Sequence, residues 1–383
     1  MDNRFSVAAP ACQAAVMAPD RTDQQREFSP VLPHRPRILP GLAVLHRNSG
    51  EVQIGTDPRH AVVIDGLTEP LVQVLRELDG RHTVDELSAQ VAERGGAASE
   101  LPALLLALAN AGLLTDAAPA PEDRAALVGR LSADVTACAL HIEPSAASVP
   151  ARAQTRVVVH GNGRLTVAVA ALLAAAGVGW INVHADGQVR AEDTGGGYLD
   201  ADVGRPRQEA ALAAVHRASC VVRTDRMPAS EPPDLVVLAD ALVPCPQLVA
   251  TLVADQVPHL LVRVREGTGL VGPLVVPGRS SCVRCADLHR CDRDARWSVV
   301  AAQLADRTQL ADLATAHATA SLAVSQALLA LSWPAAAPAP PPTWNATLEL
   351  DPWRGLLNHR PWPPHPNCGC GARDNRQPDP PDR

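Results

Sequence analysis

Four of the nine cysteines fall in two tight pairs, Cys282-Val-Arg-Cys285 and Cys368-Gly-Cys370. A two-residue gap lets both thiolates of the first pair turn toward one tetrahedral ion. The second gap is a single residue, tighter than usual, with Gly369 and Gly371 to give the backbone freedom. Four thiolates leave no open coordination position, so the ion implied is a structural zinc and not a catalytic one. Free thiols or a redox pair are the alternatives. Cys12, Cys138, Cys220, Cys245 and Cys291 show no partner spacing and read as buried or incidental. His289 and His365 neighbour the quartet and are possible substitutes for a ligand.

A second pattern is Val157-Val-Val-His-Gly-Asn-Gly-Arg-Leu-Thr166, an apolar strand running into a glycine turn and then a helix. Gly161 and Gly163 would permit a tight turn and the close approach of a phosphate to a helix N-terminus. Thr166 stands where a third glycine would allow close helix–strand packing, and His184 ends the next strand where an acidic residue would grip a ribose, with Asp186 two residues on. The turn either binds a nucleotide or simply reverses the chain.

The rest of the composition narrows the setting. All basic residues are arginine, so no lysine is available for phosphate or Schiff-base chemistry. A net charge of -7 argues against a nucleic-acid partner. No apolar run reaches the length of a membrane span, and Met1 to Pro40 lacks the basic-then-apolar layout of an export signal. Nine cysteines without such a signal favour metal ligation over disulfides and a cytoplasmic location.

These residues need elements to position them, and a chain of 383 residues suggests two domains with tails. Residues 1–35 are polar and aperiodic and predict a disordered tail. Strands are expected at Ala43–Arg47, Val52–Thr56 and Ala61–Asp65, separated by turn residues. Helices are expected at Leu71–Leu78, Val84–Arg94 (with a Thr83/Glu86 capping box) and Glu100–Leu114. Residues 36–118 thus form a small α+β module, and 119–150 a linker. From Arg156 the pattern becomes strand–turn–helix–strand, the opening of a doubly wound α/β body. Its strands are expected at Val157–His160, Trp180–His184, Leu235–Leu238, Leu260–Val264, Leu274–Val276 and Asn345–Asp351. Pro334–Pro342 reads as an extended linker, and residues 372–383 as a disordered tail.

The glycine turn, "AAAGVG" at Ala174–Gly179, "VGRPR" at Val203–Arg207, "LVGPLVVPG" at Leu270–Gly278 and "SSCVRC" ending at Cys285 together resemble the ThiF-type adenylyltransferases related to ubiquitin-activating enzymes. The resemblance spans 151–371 and implies a Rossmann-like fold with a structural zinc held by Cys282, Cys285, Cys368 and Cys370. It also marks what has changed. The family's glycine-rich turn reads Gly161-Asn-Gly163-Arg164-Leu-Thr166, its ribose acid falls on His184, and its ATP-contacting lysine falls on Arg207. The Asn-x-x-Arg segment has no counterpart in Asp193–Tyr198, while Asp240 matches the metal-associated aspartate. The resemblance therefore implies a vestigial nucleotide site at Gly161, Gly163, Arg164, Asp186, Arg207 and Asp240, and leaves ATP a doubtful cofactor.

Residues 37–115 resemble the PqqD-like winged-helix domains that recognise leader peptides of ribosomally made natural products, on "LPGLAVLHRNSGEVQIGTDPRHAVVIDGL", "GRHTVDEL" and "NAGLL". Such a module implies a strand edge at Ala61, Val62, Val63 and Ile64 for a leader to extend, with apolar pockets from Leu101, Leu105 and Leu108. Alternatively these residues are the module's own core. ThiF-like bodies with this front module accompany YcaO-type cyclodehydratases, which use the ATP and make azolines. The expectation is a leader-binding scaffold without catalytic residues. Its expected partners are a precursor peptide, a YcaO-type enzyme and a second copy of the chain. The competing expectation is an active adenylyltransferase of peptide or protein carboxylates.

Overall fold

The computed structural model describes residues 15–17, 32–117, 129–141, 148–228, 231–333 and 339–372. The chain divides into two compact units, Met1–Val149 and Pro150–Arg383.

In the first unit, β1 (Ala15–Met17), β3 (Val44–Asn48), β4 (Glu51–Ile54) and β5 (Val62–Asp65) form one antiparallel sheet in the order β1-β5-β4-β3. Alternation of buried Val52 and Ile54 on β4 with Val62 and Ile64 on β5 turns one face of this sheet into the core. Three helices cover that face: α1 (Glu69–Arg76), α2 (Val84–Glu93) and α3 (Leu101–Asn110). The capping box that starts α2 is present, with Thr83 accepting from the Glu86 amide and Glu86 accepting from the Thr83 amide. Thr68 also occupies the N-cap of α1, without a side-chain cap bond. Two further strands, β2 (Pro36–Ile38) and β6 (Leu114–Asp116), pair with each other and join the two ends of the module.

Two expectations need correction here. Within the stretch read as a disordered tail, Ala15–Met17 is a strand paired with β5; residues 1–14 and 18–31 lie outside the described residues. Within the stretch read as a linker, α4 (Ser132–His141) belongs to the first unit: Leu140 packs on its core and the Thr136 hydroxyl donates to the Pro40 carbonyl. The composition there is ordinary for a linker, and only the fold supplies those partners. Also described in that stretch are residues 129–131, with Leu131 buried, and the start of α5 (Ser148–Ala151), at the division between the units.

The second unit is built on a seven-stranded sheet in the order β13-β12-β11-β10-β9-β7-β8. Its strands are β7 (Arg156–His160), β8 (Trp180–His184), β9 (Leu235–Ala239), β10 (His259–Arg265), β11 (Thr268–Val275), β12 (Ala346–Asp351) and β13 (Leu356–Pro361). β8, β7, β9 and β10 run parallel, and the run from β10 to β13 is antiparallel. Val157, Val159, Val237 and Val262 are fully buried, the signature of strands covered on both faces. α6 (Arg164–Ala175), α7 (Arg207–Ala218) and α11 (Leu313–Ser332) share the main core on one face. α8 (Pro246–Ala254) packs on the other, where Leu252 meets Val158, Val236 and Leu261. α9 (Val283–Cys291) and α10 (Trp297–Leu304) follow the antiparallel half.

By length and composition α11, 20 residues, could cross a membrane, so the sequence expectation that nothing reaches that length was too strict. In the fold it is a core helix: Ala316, Ala320, Ala323 and Ala327 are buried against α6 and the sheet.

Candidate functional site

The four cysteines come together as their spacing predicts. Cys282 caps α9 and Cys285 sits in its first turn, while the segment after β13 returns Cys368 and Cys370 to the same point. The Sγ–Sγ separations are 3.9 Å for Cys282–Cys285, 3.6 Å for Cys282–Cys368 and 3.6 Å for Cys285–Cys370. A zinc–sulfur distance of about 2.3 Å sets tetrahedral edges near ~3.8 Å, so the donor set fits zinc without rearrangement. The Cys282 thiol donates toward Cys285, which brings Cys285 down to about 4 and pushes Cys282 up. Adjacent thiolates ionise together only beside a cation. Gly371 adopts a positive φ of 81°, whereas Gly369 does not and has open space around it. The freedom the tight pair needs therefore comes from the glycine after it. His289 and His365 are not among the thiol donors. His289 Nε2 meets the Pro363 carbonyl at 2.9 Å and His365 Nε2 meets an Asp292 carboxylate oxygen at 2.9 Å.

The glycine turn joins β7 to α6, as its sequence predicts, but its donors face inward. Asp240, at the end of β9, accepts hydrogen bonds from the amides of Gly163 (2.8 Å), Leu165 (3.1 Å) and Thr166 (3.2 Å), and from the Thr166 hydroxyl (2.5 Å). A carboxylate thus lies at the positive end of α6, the position that favours a phosphate in nucleotide-binding turns. Burial pushes the Asp240 carboxyl up, and those four donors oppose the shift. The glycines are explained by the same contact. A Cβ on Gly161 would lie 2.2 Å from Thr166 Oγ1, and one on Gly163 would lie 2.6 Å from Asp240 Oδ1.

The remaining predicted nucleotide contacts are also engaged. Arg207 is buried and bonds Asp193 from Nε (3.2 Å) and Nη2 (2.8 Å), with Nη1 on the Asp186 carbonyl at 3.0 Å. Arg164 reaches the carbonyls of Thr194 (3.1 Å) and Ala311 (2.7 Å). Asp186 donates its amide to Asn162 Oδ1 at 2.6 Å. His184 stacks on His160 at 4.5 Å, and burial followed by His184 brings His160 down to about 4. The expected residues gather at one end of the parallel strands, and several of their donors are engaged within the chain.

The peptide face predicted on the first unit differs in two respects. The β5 edge is not open: Val63 pairs with Met17, Ile64 with Val16 and Asp65 with Ala15. Leu101, Leu105 and Leu108 are wholly buried with Val62 and Ile64, so they form the module's core and offer no pockets. Helical spacing alone does not separate a core stripe from a groove.

The doubly wound sheet, the glycine turn and the four-thiol cluster define a Rossmann-type body with four cysteines placed so that they could hold a metal ion. A family model described as "ThiF family" matches residues 149–372, more than half of the chain, and the protein belongs to that family. No curated protein sequence matches it. Among solved structures it is similar to MccB of E. coli with ATP, at 13% identity and TM-score 0.64, covering 88% of this chain and 99% of that one. It is similar to the microcin C7 biosynthetic enzyme MccB in complex with N-formylated MccA, at 13% identity and TM-score 0.63, with the same coverage. It is also similar to PaaA, at 16% identity and TM-score 0.60, covering 84% of this chain and 98% of that one. At these identities the likeness is one of fold. An ATP-bound structure among them gives no support to the expectation that ATP is a doubtful cofactor.

Proposed function

We propose that the protein is a leader-peptide-binding scaffold in the modification of ribosomally made peptides, working beside a YcaO-type cyclodehydratase that carries out the ATP chemistry. The observation that carries this reading is Asp240. Its carboxylate takes the backbone donors of Gly163, Leu165 and Thr166 that a phosphate would need. In this reading the first unit is a PqqD-like winged-helix module, and a leader extends β5 after displacing β1. The cysteine quartet holds a structural zinc, the chain is cytoplasmic, and a homodimer presents two modules.

A second reading, an adenylyltransferase of a peptide carboxylate, is favoured by the similarity to an MccB structure containing ATP. ATP–pyrophosphate exchange, with and without a neighbouring precursor peptide, separates the two. The scaffold reading expects no exchange, together with leader binding and stimulation of a partner cyclodehydratase. Exchange above background in the purified chain would overturn it.

A further inference from the structure

Beside the cysteine quartet, the same two elements bring a second set of donors together. His289 and Asp292 stand three residues apart at the C-terminal end of α9, Asp292 as its C-cap, and so lie on one face of the helix. His365 comes from the segment that runs from β13 back to Cys368. One donor atom from each of the three residues lies within 4.8 Å of the other two.

Hydrogen bonding prepares the first imidazole for coordination. His289 Nε2 donates to the Pro363 carbonyl at 2.9 Å, which places its proton there and leaves the lone pair on Nδ1. A backbone carbonyl on the far nitrogen is the usual support of a metal-binding histidine. His365 is buried and gives its Nε2 proton to Asp292 at 2.9 Å, while its Nδ1 accepts from the Asn367 amide at 3.0 Å. Coordination through Nε2 therefore moves that proton to Nδ1, and the amide of Asn367, an exposed residue, turns to water. Around a tetrahedral ion with bonds of about 2.1 Å, ligand atoms lie ~3.4 Å apart, so the His365–Asp292 gap opens by about half an ångström.

We propose that His289, Asp292 and His365 bind a second metal ion, a divalent transition cation of the zinc class, separate from any ion held by the quartet. The donor set selects that class. Two imidazoles and one carboxylate suit zinc and cobalt, whereas calcium and magnesium depend on several oxygen ligands. The surroundings sharpen the choice. Arg290 and Arg293 lie over the Trp362 ring at 4.7 and 5.6 Å, and the His289 ring is 6.3 Å from the same indole. Asp287 pairs with Arg290 at 2.8 Å, but the second guanidinium still opposes a cation held by charge alone. Neutral imidazole nitrogens bind through their lone pairs and are less sensitive to that field. Three protein ligands leave a coordination position open, and the Asp292 side chain is 62% exposed, so water or an incoming ligand reaches the ion. The quartet is closed; this site is open.

The test uses the full-length protein, first equilibrated with zinc and freed of loosely held ion, with Co²⁺ as the probe. Calorimetry is expected to give one equivalent of cobalt bound with about micromolar affinity, and no comparable binding of Mg²⁺ or Ca²⁺. The visible spectrum of that equivalent is expected to show ligand-field bands without the intense near-ultraviolet band of cobalt–thiolate bonds, which entry into the quartet would produce. D292N, at an exposed position, and H289Q are each expected to weaken cobalt binding by at least about tenfold, the least that loss of even an outer partner costs. Melting curves without cobalt and the retained zinc content are expected to match the wild type in both variants. Four results would each overturn the proposal: no bound cobalt, a thiolate band that accounts for all of it, magnesium or calcium binding as tightly, or wild-type affinity in both variants.

Discussion

The Asp240 carboxylate lies 2.5 Å from the hydroxyl of Thr166, the residue that stands where the nucleotide-binding turn would have its last glycine. A glycine there would remove one of the four donors that hold the acid. The substitution and the carboxylate therefore act together, tying the end of β9 to the start of α6 through the chain's own charge.

If that contact is structural, removing the carboxylate should cost more than removing the hydroxyl. Asp240→Ala leaves three helix-terminal amides without their acceptor and is expected to destabilise the fold by about 2–4 kcal/mol. Thr166→Val keeps the shape, loses one bond, and is expected to cost about 1 kcal/mol. Urea denaturation of both variants checks the order. Equal stability of Asp240→Ala and the wild type would show that the acid is held for some other purpose.

The same occupancy predicts the response to nucleotide. Calorimetry with magnesium and ATP is expected to detect nothing tighter than a roughly millimolar dissociation constant, about -4 kcal/mol. A micromolar constant would mean that Asp240 yields its donors, and the adenylyltransferase reading would then lead.

What the sequence revealed follows the range of the interactions. β8 was legible at its exact bounds because Trp180–His184 is a short apolar run closed by glycines and polar residues. β11 was read as three residues because Gly269, Gly272 and Pro273 look like breakers, yet it runs from Thr268 to Val275. Gly269 is tolerated because Thr319 of α11 fills its space, with an added Cβ only 2.0 Å from Thr319 Oγ1. The cysteine quartet was legible because its pairs are local. The Asp240 contact was not, because the end of β9 and the start of α6 lie far apart in the chain.

The cysteine quartet should bind about one zinc per chain. Its loss should act on stability rather than on any catalytic step, because the four thiols tie the segment after β13 to α9. Cys282→Ser and Cys370→Ser are each expected to lower the melting temperature and the zinc content together. A fully folded protein that metal analysis shows to be zinc-free sinks this assignment.

His160 gives the fold a defined acid sensitivity. Burial holds its folded value at about 4, below the ordinary imidazole value of 6.5, so between these limits the unfolded chain binds a proton that the folded chain does not. Stability therefore falls as pH drops from 6.5 toward 4, by up to about 3 kcal/mol across the window. Replacing the ring by His160→Asn should flatten that part of the pH profile relative to the wild type. Parallel urea titrations at pH 7 and pH 5 read the difference directly.

The last prediction concerns β1. Ala15–Met17 adds a fourth strand to the first unit along β5, the edge where a leader peptide would add its own strand. Three paired residues form a short ladder, and each must be ordered at a cost of about 1–2 kcal/mol of backbone entropy. A longer peptide with side-chain contacts can therefore compete with them. Deleting residues 1–31 should leave the Val52, Ile54, Val62 and Ile64 core intact, because those side chains are buried under α1, α2 and α3. The truncated protein is expected to melt within a few degrees of the full chain and to bind a neighbouring precursor leader several-fold more tightly. Fluorescence anisotropy with a labelled leader measures the change, and a melting curve on the same sample guards against partial unfolding. Unchanged affinity after truncation, with the fold intact, would mean that β1 and the leader do not share the β5 edge. Weaker affinity would mean that β1 forms part of the binding surface rather than its competitor.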